Sequence, residues 1–460
     1  MDLNRAPLLR LLAAPTCEGD WIVLQLMHHI IGDYVTIQKL NAEVRMINEG
    51  QSEQLATPTP FRYVVAQARL GVSQSEHTHF FSEMLSDVDT PTLPFGLTDV
   101  HDDGIEIDHG QLKLPQELNN QLRAFVRHFH VNLASLCHLA WAQVLARASG
   151  NETVVFGTVL LGRLQSGEGN ESVMGMMINT LPLRLDIDDT TVENAVRNAH
   201  SRLSALLSHE YASLALAQRC SGVPSSLPLF NSLLNYRHKS QTERGIEPLA
   251  GVNILSSKAR TNYPITLSLD DDNNNLSLTA HVVSPLSAAR ICGYMQQALV
   301  SLVDAFINTP QQPVRTLTVM PPEEREMLLY SWNRTTVNYP PICCLHQLFE
   351  AQVECSGRAI AVEFEGETLS YAELNAQANR LANHLITRGV KPDDLIAICV
   401  ERSTKLVVAI LGILKAGAAY VPLDPIYSSQ RLQNILVDAD PLYLLADASG
   451  QEALGDHDVP

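Results

Sequence analysis

The chain has 460 residues, which at about 150 residues per domain corresponds to two or three domains with sizeable cores. Lys+Arg 32 against Asp+Glu 50 leaves a formal charge of −18, and so acidic a surface repels phosphate backbones and anionic headgroups, which argues against nucleic acid as a partner. A 45% hydrophobic and 18% charged composition belongs to a packed globular protein rather than a disordered or fibrous one.

Along the chain, Trp21 to Met27 (WIVLQLM) is an apolar run too short for a core helix and reads as a buried strand. It delivers His28 and His29 at its end. Leu114 to His130 has helical spacing, and a second helix opens at Asn132 as N-cap, with Leu133, Leu136, Ala140 and Val144 on one stripe and Gly150 as its stop. The strand TVVFGTV follows from Thr153 to Val159, and the chain to about Ile307 mixes strands and helices without steady alternation, which predicts an α+β layout. Thr309 to Pro341 is Pro-rich and polar, with one helical stretch from Glu323 to Ser331, and reads as an inter-domain linker. Beyond it, Ser370 and Glu373 form a capping box for a helix that carries Leu374, Ala378, Leu381 and Leu385 and stops at Gly389. The strand LIAICV, a helix from Lys405 to Lys415, and the extended AYVPLD and PLYLLAD then alternate as in a parallel sheet. This second, α/β domain has few elements before Pro460 and reads as truncated.

The eight cysteines form no C-x-x-C pair, so no metal knuckle or thioredoxin-type site is signalled, and most lie in apolar segments as buried thiols. The N-terminal stretch lacks a basic region leading into a long apolar core, and no run reaches the roughly 18 apolar residues of a membrane span, which predicts a cytoplasmic chain with no membrane partner.

The strongest chemical feature is His28-His29-Ile30-Ile31-Gly32-Asp33-Tyr34. Imidazole suits proton transfer near neutral pH, and adjacent residues at a strand end point to opposite faces. One histidine is therefore expected in a cleft and the other behind it; the bland alternative is two satisfied core or edge histidines.

HHIIGDY resembles the HHxxxDG signature of condensation domains of nonribosomal peptide synthetases, relatives of chloramphenicol acetyltransferase. In chain order, FRYVVAQARL (61–70) resembles the family's central Tyr-containing motif, MGMMINTLPLR (Met174 to Arg184) its GxFVNTxxxR motif, and PLFNSLLNYRH (Pro228 to His238) its downstream segment. PPEEREMLLYSWNRT resembles the usual linker, LSYAEL (Leu369 to Leu374) the first core motif of adenylation domains, and LKAGAAYVPLD (Leu414 to Asp424) the second. The resemblance implies an α+β, chloramphenicol-acetyltransferase-like condensation domain over 1–308 lacking most of its N-terminal subdomain, a linker over 309–342, and the first α/β part of an adenylate-forming domain over 343–460.

It further implies amide formation between carrier-bound aminoacyl or peptidyl thioesters. His29 is the catalytic residue by this resemblance, either taking a proton from the acceptor amine or, when charged, stabilising the oxyanion. His28 and Asp33 support the motif, Asp33 by pairing with an arginine expected upstream and absent from this sequence. Asn179 lines the tunnel or satisfies backbone groups at a strand end. Tyr34 stands where the motif ends in glycine. The implied partners are phosphopantetheinylated carrier domains and neighbouring modules. No cofactor is expected on this chain: the phosphate loop of adenylation domains does not appear before Pro460, so the ATP site is incomplete, and Tyr371, Lys415 and Asp424 are scaffold. The alternative is an inactive remnant that only docks carriers or modules.

Three further features receive bland readings. His128 and His130 are turned about 200° apart on a helix and cannot share an ion. His209-Glu210 lacks the second histidine of a zinc motif, and Gly167-Glu168-Gly169 lacks the third glycine of a dinucleotide fingerprint, so both read as surface.

Overall fold

The computed structural model describes residues 2–97, 107–162, 173–238, 251–253, 255, 263–338 and 343–460. Gly167-Glu168-Gly169 and residues 339–342 lie outside these. The chain divides into two compact units, Met1–Arg334 and Thr335–Pro460. No helix among the described residues is long and apolar enough to cross a membrane.

The first unit opens with strands β1 (Leu9–Pro15) and β2 (Trp21–Met27), an antiparallel two-stranded ribbon with Leu12 opposite Leu24. The sequence predicts a buried strand over Trp21–Met27; the strand forms, but Trp21, Val23 and Leu24 are 65%, 58% and 51% exposed. Two strands cannot cover their own faces, and among the described residues no third strand pairs with the ribbon. Helices α1 (Tyr34–Asn48), α2 (Arg62–Leu70) and α3 (Gln74–Leu85) follow, the last opened by a Ser73–Glu76 capping box and burying Phe81 and Leu85.

The main core lies on a six-stranded mixed sheet. Its strands are β3 (Ile107–Lys113), β4 (Thr153–Leu160), β5 (Asn179–Asp186), β6 (Ser232–His238), β7 (Ile265–Asp271) and β8 (Leu276–Val283), in the order β3-β8-β7-β6-β4-β5. The β6 strand runs parallel to both β4 and β7, and the other pairs are antiparallel. Strict alternation in β8 turns Leu276, Leu278, Ala280 and Val282 inward. Helix α4 (Gln116–Phe129) contributes Leu118, Leu122 and Phe125 to the core. Helix α5 (Leu133–Ser149) is capped by Asn132, whose Oδ1 accepts the Ser135 N–H at 2.7 Å, and it ends at Gly150 in the left-handed region with φ 75°. It is buried on almost every side because it lies between the sheet and the helices α6 (Val192–Leu207) and α8 (Ala288–Asn308); the short α7 (Leu214–Arg219) packs against α3.

The stretch from Thr309, expected as linker, differs in its first part. Val314, Leu317 and Val319 bury their side chains in the core of the first unit, and Val314 N–H bonds the Thr190 carbonyl at 2.8 Å. Its prolines restrict the backbone, yet apolar side chains two or three residues apart still find the core. The helical stretch is present as α9 (Pro322–Glu326) continued by a wider turn over Met327–Ser331. The thiols also differ from expectation: Cys137, Cys292 and Cys399 are buried, whereas Cys17, Cys343, Cys344 and Cys355 are exposed.

The second unit begins with α10 (Leu345–Ser356) and the antiparallel pair β9 (Ile360–Phe364) and β10 (Glu367–Ser370). Helix α11 (Tyr371–Thr387) starts at the expected capping box, Ser370 N–H reaching Glu373 Oε2 at 2.9 Å, and buries Leu374, Ala378, Ala382 and Leu385. Strands β11 (Leu395–Cys399), β12 (Ala419–Pro422) and β13 (Tyr443–Ala446) form a parallel sheet in the order β12-β11-β13, linked through α12 (Thr404–Lys415) and α13 (Ser429–Ala439) and followed by α14 (Ala448–Leu454).

Candidate active site

The His-His motif sits on a turn built by its own side chains. After β2, His28 N–H bonds the Leu8 carbonyl at 3.0 Å, and its Nδ1 accepts the Ile30 N–H at 3.1 Å, capping a 3₁₀ turn over His29–Ile31. An Nδ1 that accepts leaves the ring proton on Nε2 in the neutral form. His28 is thus committed to the backbone, while His29, the first residue of the turn, is exposed. The division between the two rings comes from this turn rather than from alternation along a strand.

Asp33 then caps α1. It is 1% exposed, and its Oδ1 accepts the Thr36 N–H at 2.9 Å and faces the Thr36 hydroxyl at 3.0 Å. Tyr34 is the first residue of α1 and has no positive φ, so its backbone does not need glycine; its side chain is 54% exposed.

Thr36, which the sequence did not single out, joins this turn to the later motif. Gly175 N–H donates to Thr36 Oγ1 at 3.0 Å across 139 residues of sequence. Gly175 itself has φ +148° and leaves no room for a Cβ, which would overlap the Phe61 ring. Val64 of α2 packs with Val173 and Met177 at the same place. Three motif-bearing segments, 28–34, 61–70 and 174–184, therefore meet here.

Asn179 is tied to backbone at the start of β5. Its Nδ2 donates to the carbonyls of Glu210 at 2.8 Å and Ala212 at 2.7 Å, tying the start of β5 to the turn after α6. Arg184 donates to the Met84 carbonyl at 3.1 Å and pairs with Asp87 and Asp186. His209-Glu210 is not surface as expected: Glu210 is wholly buried, and His209 Nδ1 lies 2.9 Å from His77 Nδ1, with its ring stacked on Phe80. Burial pulls both imidazoles below their usual range. Sequence spacing gave no hint of this pair, since its members are 132 residues apart.

Two other buried groups are satisfied and structural. His138 bonds the Ala134 carbonyl and Thr158 Oγ1, each at 2.6 Å, and burial pushes it down to about 4. Asp271 is held by Arg123 and the Tyr236 hydroxyl, each at 2.6 Å.

In the second unit a pocket of about 500 Å³ opens at the carboxyl ends of β11 and β12, lined by Glu401, Arg402, Tyr420, Asp424 and Ile426 among others. Asp424 Oδ1 caps the following turn by accepting the Ile426 N–H at 3.0 Å, Lys415 is buried in an ion pair with Glu350, and Tyr371 lies against Phe349.

Comparison with known proteins gives this arrangement its relatives. Residues 1–329 match the Condensation domain family. The chain belongs to the condensation-domain family. Residues 349–459 match the AMP-binding enzyme family, so a condensation sequence is followed by an adenylation sequence, as in nonribosomal peptide synthetases. The chain is 52% identical over 455 residues to malpinin synthetase of Mortierella alpina, covering 99% of this chain and 6% of that protein. It is 48% identical over 439 residues to malpibaldin synthetase of the same organism, covering 95% of this chain and 8% of the relative. It therefore spans less than a tenth of these relatives' length. In fold, it superimposes on a four-domain holo nonribosomal peptide synthetase bound to AMP and glycine with a TM-score of 0.81 at 20% identity, covering 100% of this chain and 36% of that one. The X-domain from teicoplanin biosynthesis gives a TM-score of 0.55 at 17% identity over 69% of this chain and 76% of its own. The condensation-domain fold thus frames the His28–Tyr34 turn.

Proposed function

We propose that this chain is a working segment of a cytoplasmic nonribosomal peptide synthetase, in which the condensation part, residues 1–319, forms an amide between substrates carried as thioesters on phosphopantetheine arms. A connector over 320–342 leads to the beginning of the amino-acid-activating, ATP-using part. The observation that carries this reading is the unequal fate of the two histidines: His28 is spent on the backbone, whereas His29 is exposed on a turn braced by Asp33 and Thr36.

In the reaction the acceptor amine nitrogen attacks the donor thioester carbonyl. The C–N bond forms, the C–S bond breaks, and the proton lost by the amine ends on the departing thiol. His29 orients the amine, takes that proton and returns it to sulfur, a role that requires a neutral imidazole. His28 and Asp33 hold the turn without touching substrate, and carrier domains and adjoining modules supply both substrates.

The test places this chain at the matching position of malpinin synthetase and follows amide formation between two loaded carriers. His29→Ala should slow product formation by about 10²–10⁴-fold, the worth of a positioned acid–base group. A variant that keeps the parent rate would refute the assignment.

A further inference from the structure

We infer that Thr36 is a positioning residue for the condensation reaction, holding the His29 turn in register with the segment around Gly175. The inference rests on the reading of His29 given above. Among described residues 2–72, only Gly32, Asp33, Thr36 and Val64 are buried. Thr36 uses every part of its side chain there. A Cβ on Gly32 would lie 2.8 Å from Thr36 Cγ2, which shows the methyl seated directly against the backbone between His29 and Asp33. The hydroxyl accepts the Gly175 N–H at 3.0 Å, and its single proton lies between Asp33 Oδ1 at 3.0 Å and the Gly175 carbonyl at 3.1 Å. Both partners are drawn from motif segments, and Phe61 of the third segment closes over Gly175. Thr36 is too buried to meet a carrier-borne substrate, being 5% exposed. Its effect on chemistry must pass through the turn that bears His29.

The variants Thr36→Val and Thr36→Ser separate the two halves of the side chain, the first keeping shape and losing the hydroxyl, the second keeping the hydroxyl. Thr36→Val should accelerate hydrogen exchange at the Gly175 amide at least about 10-fold, since its acceptor is gone. In the malpinin synthetase chimera it should lower kcat about 10–100-fold with KM for the loaded carriers unchanged within about two-fold, as expected of a misplaced catalytic group. Thr36→Ser should restore both readouts to within about three-fold of the parent. Unchanged exchange at Gly175 overturns the inference, as does faster exchange with unchanged kcat, or a loss of kcat that Ser does not rescue. If the parent chimera makes no amide while exchange responds as stated, the function reading fails and the Thr36–Gly175 tie stands as purely structural, so the positioning role falls with it.

Discussion

Gly175→Ala tests whether the junction between the His29 turn and the later motif is as tight as its geometry implies. The new methyl would meet two separate obstacles. Gly175 has φ +148°, a region that costs a residue with a Cβ about 1–3 kcal/mol. The methyl would also overlap the Phe61 ring, an overpacking cost of about 1–3 kcal/mol. Together they predict a loss of about 2–6 kcal/mol. Phe61 is 38% exposed, so the ring can be removed at modest cost of its own. A double-mutant cycle with Phe61→Ala should then recover about 1–3 kcal/mol, the steric share, and leave the backbone share. The assay is urea unfolding followed by tryptophan fluorescence. All three tryptophans, Trp21, Trp141 and Trp332, belong to the first unit, and only Trp141 is buried, so the signal reports the core of that unit. A Gly175→Ala protein within about 0.5 kcal/mol of the parent, or a coupling energy near zero, would refute the reasoning.

Other consequences can be checked directly. Limited proteolysis should cut between 320 and 342 before it cuts 310–319, because Val314, Leu317 and Val319 are buried; mass mapping with early cuts near Val314 would contradict this. Burial alone would raise the Asp271 carboxyl, but Arg123 and the Tyr236 hydroxyl outweigh it and hold it below its usual range. Its stabilisation is therefore complete above the ordinary carboxylate pKa of about 4 and is lost as pH falls below that, so Asp271→Asn should cost about 3–5 kcal/mol at pH 7 and a smaller difference near pH 3 in parallel urea melts. Asn179→Ala leaves two carbonyls without their donor and should cost about 1–3 kcal/mol of stability, while folded chimeric enzyme keeps its kcat; a selective fall in kcat would instead favour a tunnel role.

Local chemistry made much of this protein legible from its sequence. Asn132 and the Ser370–Glu373 pair announce helix starts because capping bonds reach only three residues ahead. The run LIAICV, the apolar helix after it and the strands beyond declare a parallel sheet because buried strands leave no polar face. Motif order likewise pointed to the fold.

What the sequence could not say is which apolar surfaces find cover and which distant groups meet. WIVLQLM has the composition of a buried strand, yet burial depends on a neighbouring layer, and β2 has only β1 beside it among the described residues. Pro-rich composition suggested a linker from Thr309, but Val314, Leu317 and Val319 of that stretch enter a core supplied by elements far upstream. The bonds from Asn179 to the carbonyls of Glu210 and Ala212 form only because folding brings β5 and the turn at 210–212 together. Thr36 showed no chemical signal, since an isolated threonine three residues into a helix is ordinary. Its role arises because folding sets Gly175 against it from 139 residues away, and a hydroxyl with one donor and two lone pairs can then serve both segments at once.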